Sequence, residues 1–301
     1  MTATVPPIKC QGIKTKIVPM IKESVPQPVQ GKWIEPFCGS CVVALNVKPE
    51  RALLTDTNMH IIALYQRIQD GTITPDIARS FLTREGEKLS ELGEKHYYEV
   101  RTRFNETHDP LDFLFLNRAC FNGVMRFNQK GKFNVPFCRK TDRFRQAYIT
   151  KIVNQIIDFK RVLYGRDWQF EVLDFRKTLA RAGTDDFVYA DPPYAGRHVD
   201  YFNSWDAHDE QDMIHLLKRL PCKFLLSTWH SNVFRENKSV QVHWQESTFF
   251  IKTAEHFYHV GPTEELRNAM MEALISNYDM PGMDGIPAQK LAVPLQQMLF
   301  I

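Results

Sequence analysis

The run Phe187-Val188-Tyr189-Ala190 ends on Asp191-Pro192-Pro193-Tyr194, and no other stretch limits the fold so tightly. Two consecutive prolines lack backbone N–H donors, so neither a helix nor a sheet ladder continues through them. The apolar residues ahead of them read as a short strand covered on both faces, the kind that parallel sheets use. Comparable runs lie at Lys32 to Phe37, Ala52 to Asp56, Lys223 to Ser227 and Met271 to Ile275. A short helical pattern from Val42 to Leu45 joins the first two. This strand–loop–helix–strand unit predicts an α/β fold with a doubly wound, mostly parallel sheet.

The texture changes from Asn58 to about Tyr164. Apolar residues recur at helical spacing there, first at Ile61, Ile62, Leu64, Tyr65 and Ile68, and then around Ile77, Phe81, Leu82 and Leu89. Strands and helices alternate again after Trp168. The expected organisation is a core in two sequence pieces, residues 1–64 and 161–301, with a mainly helical insertion at 65–160. A chain of 301 residues with 44% hydrophobic content is long enough for a core plus such a lobe. No apolar run reaches the roughly 18 residues of a membrane span. Six cysteines without a secretory leader point to free thiols in a reducing, cytoplasmic setting. Cys38-Gly39-Ser40-Cys41 has no second cysteine pair at zinc spacing, so no metal is expected.

Glu35-Pro36-Phe37-Cys38-Gly39-Ser40-Cys41 lies between a strand and a helix, where Gly39 allows a ligand to approach the backbone closely. Asp56 ends the next strand. A carboxylate there can accept both hydroxyls of a ribose diol. Each feature also has a purely structural reading, a tight turn for Gly39 and a helix cap near Asn58 for Asp56. Neither a P-loop nor a full GxGxxG pattern is present. A ligand with a ribose but no pyrophosphate suits the loop best.

The Asp-Pro-Pro-Tyr turn lacks two donors and is left with acceptors, namely the Asp191 carboxylate and the Pro192 carbonyl. Two acceptors can hold both N–H bonds of a planar amino group and leave its nitrogen lone pair free to take a methyl group. Tyr194 offers a ring for stacking on a base. The exocyclic amino groups of adenine and cytosine both fit. A base inside a duplex must first be extruded, at a cost of a few kcal/mol, so a segment that grips DNA should be present.

Leu116 to Lys151 meets that need. It holds nine basic residues (Arg118, Arg126, Lys130, Lys132, Arg139, Lys140, Arg143, Arg145, Lys151) against one acid, Asp142, in a chain of net charge +3. Asn117, Asn122, Asn128 and Asn134 add amides that can read base edges, and Arg126 can reach guanine bidentately. Gly123 and Lys130-Gly131-Lys132 suggest a hairpin-like turn on which Phe121 or Val124 wedges between base steps. Phe121, Phe127 and Phe133 are interleaved with the charges. The plainer alternative is a solvated basic face with those rings turned inward.

Taken together, these motifs resemble the Dam-type (alpha group) DNA adenine-N6 methyltransferases, and within them the EcoRV-type modification enzymes. The resemblance runs from about Pro6 to Asn277. It rests on the Glu35-to-Gly39 loop, on Leu116-Asn117-Arg118 through Phe121-Asn122-Gly123 and Phe133-Asn134-Val135-Pro136-Phe137, and on Asp191-Pro192-Pro193-Tyr194, in that order. It implies S-adenosylmethionine as methyl donor, double-stranded DNA as partner, a flipped adenine as target, a monomer and no metal. It also leaves room for a restriction endonuclease acting separately and for a GAT-containing palindrome such as GATATC. By resemblance Cys10, Lys14, Phe37, Asp56 and Asp191 line the donor site, with Lys14 near the methionine carboxylate. Asp191, Pro192 and Tyr194 act on the base, and Phe121, Asn122 and Arg126 contact DNA. Cys41 stands where the family loop has a second glycine. Methylation of cytosine N4 or of RNA, and a DNA-binding relative without activity, are the alternatives.

Overall fold

Side chains along a strand point alternately to two faces, and this period of two sorts the apolar residues of the sheet. The computed structural model describes residues 3–194, 205–232, 236–257 and 269–281. In chain order its elements are α1 (Val18–Ser24), β1 (Trp33–Glu35), α2 (Val42–Val47), β2 (Arg51–Asp56), α3 (Met59–Gln69), α4 (Pro75–Leu92), α5 (Glu94–Thr107), α6 (Pro110–Ala119), α7 (Gln146–Leu163), β3 (Asp167–Val172), α8 (Phe175–Leu179), β4 (Phe187–Ala190), α9 (Ala207–Lys218), β5 (Lys223–Asn232), α10 (Lys238–His243), β6 (Phe250–Phe257) and β7 (Ala269–Ser276). The strands form one seven-stranded sheet in the order β3-β2-β1-β4-β5-β7-β6. The pairs from β3 to β5 are parallel, and β7 runs antiparallel between β5 and β6. The expected α/β class and mostly parallel sheet are therefore found. β6, which the sequence reading does not anticipate, adds an antiparallel edge.

Trp33, Leu54, Phe187, Tyr189, Leu225 and Leu274 face one apolar cluster, and their neighbours Ile34, Leu53, Val188, Ala190, Leu226 and Ile275 face a second. The first cluster takes in buried residues of α1 to α7, and α3 packs directly on β2 and β3. The helical stretch between β2 and β3 therefore shares its apolar interior with the sheet. The second face is covered by α8, α9 and α10. Trp33 anchors the first face, stacked on Phe187 at 5.1 Å and on Tyr189 at 5.9 Å.

The helix starts follow local chemistry. Thr74 and Asp109 cap α4 and α6, each followed by a proline that needs no N–H partner, and Asp206 forms a capping box on α9. The sheet order reverses between β1 and β4, since β1 leads to β2 on one side and β4 leads to β5 on the other. In open α/β sheets a ligand crevice forms at the strand carboxyl ends at such a point. Both sequence motifs, Glu35 to Cys41 after β1 and Asp191 to Tyr194 after β4, lie there.

Candidate active site

The loop after β1 is tied down by its own backbone and by β2. Cys38 N–H donates to the Thr55 carbonyl at 2.8 Å, and Cys41 N–H to the Cys38 carbonyl at 2.6 Å. Asp56 holds two segments at once, with Oδ2 accepting from Gly39 N–H at 2.9 Å and Oδ1 from Asn58 N–H at 2.8 Å. The cap of α3 itself is Asn58, which accepts from His60 N–H. A carboxylate has about four acceptor positions, so these bonds do not exhaust its capacity to accept from a diol. Gly39 has φ +45°, and a Cβ there would meet only ordinary contacts, 3.5 Å from Cys10 Sγ.

Cys41 is fully buried, with φ 62° and ψ 17°. That is the left-handed region, where a glycine costs nothing and a branched side chain is strained. Cys41→Val is expected to lower unfolding stability by about 1–3 kcal/mol, measured by urea denaturation, with Cys41→Gly as the tolerated control.

Glu35 is also buried, and its carboxyl accepts from Trp33 Nε1–H at 2.7 Å. Burial pushes its pKa up to about 8, and the Trp33 and Ala44 N–H groups only partly oppose this. A raised folded value means that stability is fully present below the unfolded pKa and is lost as pH rises through about 8. The melting temperature of the wild type should fall between pH 5 and 8 more steeply than that of Glu35→Gln, which keeps an acceptor for Trp33.

The turn after β4 meets a chain of charges. Lys14, 5% exposed, pairs through Nζ with Asp191 Oδ1 at 2.9 Å. The same ammonium donates to Tyr194 Oη at 2.7 Å and to the Gly12 carbonyl at 3.3 Å, and lies 4.7 Å from the Tyr194 ring centroid. Tyr194 Oη–H in turn donates to Glu272 Oε2 on β7 at 2.6 Å. Burial raises the Asp191 pKa to about 6, against the pull of Lys14 and with a smaller push from Glu272. Cys10 sits close enough to Asp56 and Asp191 that their charges, after burial, push its thiol up to about 12. Cys10, Lys14, Asp56 and Asp191 are thus brought to one place. Phe37 stacks on Phe175 at 5.4 Å and meets the edge of Trp205 at 5.5 Å, forming an aromatic wall beside the same loop. An acid with spare acceptor positions, a backbone approach at Gly39 and an aromatic wall suit a nucleoside with a free ribose diol.

Residues 120–137 form the expected hairpin-like element, with bridges between Cys120 and Phe137 and between Phe127 and Phe133. Phe121 is 54% exposed at its base, next to the Cys120–Phe137 bridge and beside Asn122, which adopts φ 54°. Phe127 and Phe133 are instead buried, and Phe127 stacks on His60 of α3. Of the three rings interleaved with the charges in sequence, two therefore turn inward, as in the plainer alternative, and Phe121 stays outside. Arg118 does not join the basic face. It turns inward to the Pro7 carbonyl and Gln155. Asn117 is buried and grips Lys9 at both N–H and C=O, at 2.7 and 2.8 Å. Asn128 closes the turn by accepting from Lys130 and Lys132 N–H, and Asn134 accepts from Arg126 Nε–H at 2.9 Å. Asn122 is exposed. Gly123, at φ +67°, leaves no room for a Cβ against the Lys9 side chain, 2.7 Å away. The hairpin is thereby locked to the segment that carries Cys10 and Lys14.

Residues 11–260 match the family model of the D12 class N6 adenine-specific DNA methyltransferases. The chain belongs to that family. A DNA adenine methylase of Serratia marcescens is 31% identical over 71% of this chain and 77% of its own length. The type II methyltransferase M.MjaIII of Methanocaldococcus jannaschii is 29% identical over 71% and 78%, and the retron Ec67 DNA adenine methylase of Escherichia coli 30% over 69% and 70%. Adenine-specific DNA methylation is therefore the activity of this methyltransferase, and the seven-stranded sheet is the frame that carries it. Among the described residues, no group of three or more His, Cys, Asp or Glu side chains could hold a metal, and no helix is long and apolar enough to cross a membrane. Glu272, Phe175 and Trp205 are site neighbours that the motif reading passes over. Glu272 left one signal, as the single acid in the apolar run Ala269–Ser276.

Proposed function

We propose that this methyltransferase takes its methyl group from S-adenosylmethionine and places it on N6 of an adenine flipped out of double-stranded DNA, within a GAT-containing palindrome. GATATC is the first site to test, because the sequence resembles EcoRV-type enzymes. The reading is carried by one juxtaposition, the Asp191 carboxylate after β4 beside the Asp56–Gly39 corner after β1.

The donor supplies an electrophilic methyl group beside a purine nucleoside. Asp56 accepts the ribose hydroxyls, Cys10 and Phe37 line the nucleoside, and Phe175 and Trp205 extend the aromatic wall. Lys14 holds Asp191 Oδ1 and so fixes the plane of the carboxylate. The other Asp191 oxygen and the Pro192 carbonyl accept the two N6–H bonds, which leaves the nitrogen lone pair directed at the methyl group. The proton that N6 sheds on methylation leaves through that same Asp191 oxygen. Tyr194 stacks on the base.

The exposed Phe121 at the base of the hairpin fills the gap left by the flipped adenine, Asn122 contacts phosphate, and Arg126 reads a base edge once its Asn134 bond is exchanged for one to guanine. Lys130, Lys132, Arg139, Lys140, Arg145 and Lys151 are exposed and supply phosphate contacts. In this reading residues 65–160 are the target-recognition lobe of a monomer working in the cytoplasm, with a restriction endonuclease acting separately as its counterpart.

Tritium transfer from labelled S-adenosylmethionine into duplex oligonucleotides tests the site. GATATC should be labelled and a scrambled duplex of equal composition should not. Labelling of the scrambled duplex alone would remove the proposed site.

A further inference from the structure

Glu272 is a buried acid that the adenine-clamp reading does not use. It lies in β7, opposite Trp229 of β5 and Ala254 of β6, and is 0% exposed. A carboxylate in such a place is costly unless it is hydrogen-bonded. It accepts the Tyr194 hydroxyl proton at 2.6 Å. The direction of this bond is dictated by Lys14. An ammonium has donors and no acceptor, so Tyr194 Oη must accept from Lys14 and give its single proton to Glu272. The result is a directed chain from Glu272 through Tyr194 and Lys14 to Asp191, joining β7, the turn after β4 and the N-terminal segment. Trp229, the strand partner of Glu272, packs against Tyr194 and closes the same corner.

We propose that Glu272 is a positioning residue for methyl transfer: it sets the Tyr194 hydroxyl, and through it the Lys14 ammonium, so that the Asp191 carboxylate is presented to the adenine amino group. Without an acceptor at position 272, the Tyr194 proton turns to the other carboxylate that shares Lys14, which is Asp191. It then competes there with adenine N6–H. The proposal rests on the reading of Asp191 and Tyr194 as the adenine clamp.

Charge supplies a readout that a merely structural role would not move. Among the described residues, the groups facing Asp191 are Lys14 and Cys10 from the N-terminal segment, Glu35 from β1, Tyr189 from β4 and Glu272 from β7. Glu272 disfavours the Asp191 anion, so removing its charge should move the acid limb of kcat/KM to lower pH.

The experiment measures steady-state methylation of duplex DNA by full-length Glu272→Gln, Glu272→Leu, Tyr194→Phe, Glu272→Leu/Tyr194→Phe and Asp191→Ala variants, with melting curves for each. Glu272→Gln keeps an acceptor oxygen. It should retain most of kcat at its optimum, with the acid limb displaced to lower pH. Glu272→Leu should lose about tenfold in kcat with little change in KM for DNA, and should add almost nothing in the Tyr194→Phe background. An unmoved acid limb in Glu272→Gln would overturn the proposal, as would fully additive losses in the double variant. If Asp191→Ala stays active, the clamp reading itself fails. If Asp191→Ala is inactive and Glu272→Gln behaves as wild type, only the positioning role fails.

Discussion

Asp191→Ala is expected to lower methyl transfer by about 10³-fold or more while DNA affinity stays within the same order of magnitude. The carboxylate sits at the carboxyl end of β4, where the order of the sheet reverses, and its side chain is 21% exposed. It contributes nothing to the hairpin at 120–137, which is anchored to Lys9 through Asn117 and Gly123. Catalysis and DNA contact therefore separate in space. Asp191→Asn should be nearly as inactive, because an amide presents one acceptor where the anion presents two. Filter binding and single-turnover transfer, run on the same preparations, check both halves of the expectation.

Lys14→Gln should act on the same carboxylate from the other side. Burial already raises the Asp191 pKa to about 6, and Lys14 is the main force holding it down. An acid is anionic above its pKa, so taking the cation away raises the value and moves the acid limb of kcat/KM upward by about 1–2 pH units. The loss at pH 6 should be about tenfold or more, with recovery towards pH 8.5. The reference for this limb is the free enzyme, which kcat/KM reports. The two variants give opposite signs, Lys14→Gln upward and Glu272→Gln downward, and a general loosening of the corner cannot produce both.

The sheet was legible because strand burial leaves a plain mark. Ile34 and Trp33, or Val188 and Phe187, are apolar in succession since both faces of a parallel strand are covered. The Asp191 turn was legible because two prolines end a strand whatever surrounds them. What stayed hidden depends on partners distant in sequence. Arg118 counts as a phosphate-binding charge until the Pro7 carbonyl claims it, and Asn117 as a base reader until it closes on Lys9 across the fold. Phe121, Phe127 and Phe133 are each followed by an asparagine, yet of the three only Phe121, at the base of the hairpin, leaves its ring exposed. β6 escaped because an antiparallel edge strand carries mixed residues such as Lys252, Thr253 and Glu255. Glu272 could be marked as unusual within its strand, but its contact with Tyr194 depends on β7 inserting between β5 and β6.

The central claim is that Asp191 and the Pro192 carbonyl clamp an extruded adenine. It is tested most directly by a crystal structure of the protein with a GATATC duplex and a non-reactive analogue of the methyl donor. The target adenine is expected outside the helix, with N6 within about 3.2 Å of both an Asp191 oxygen and the Pro192 carbonyl. An adenine still stacked in the duplex, or one whose N6 points away from Asp191, would contradict it.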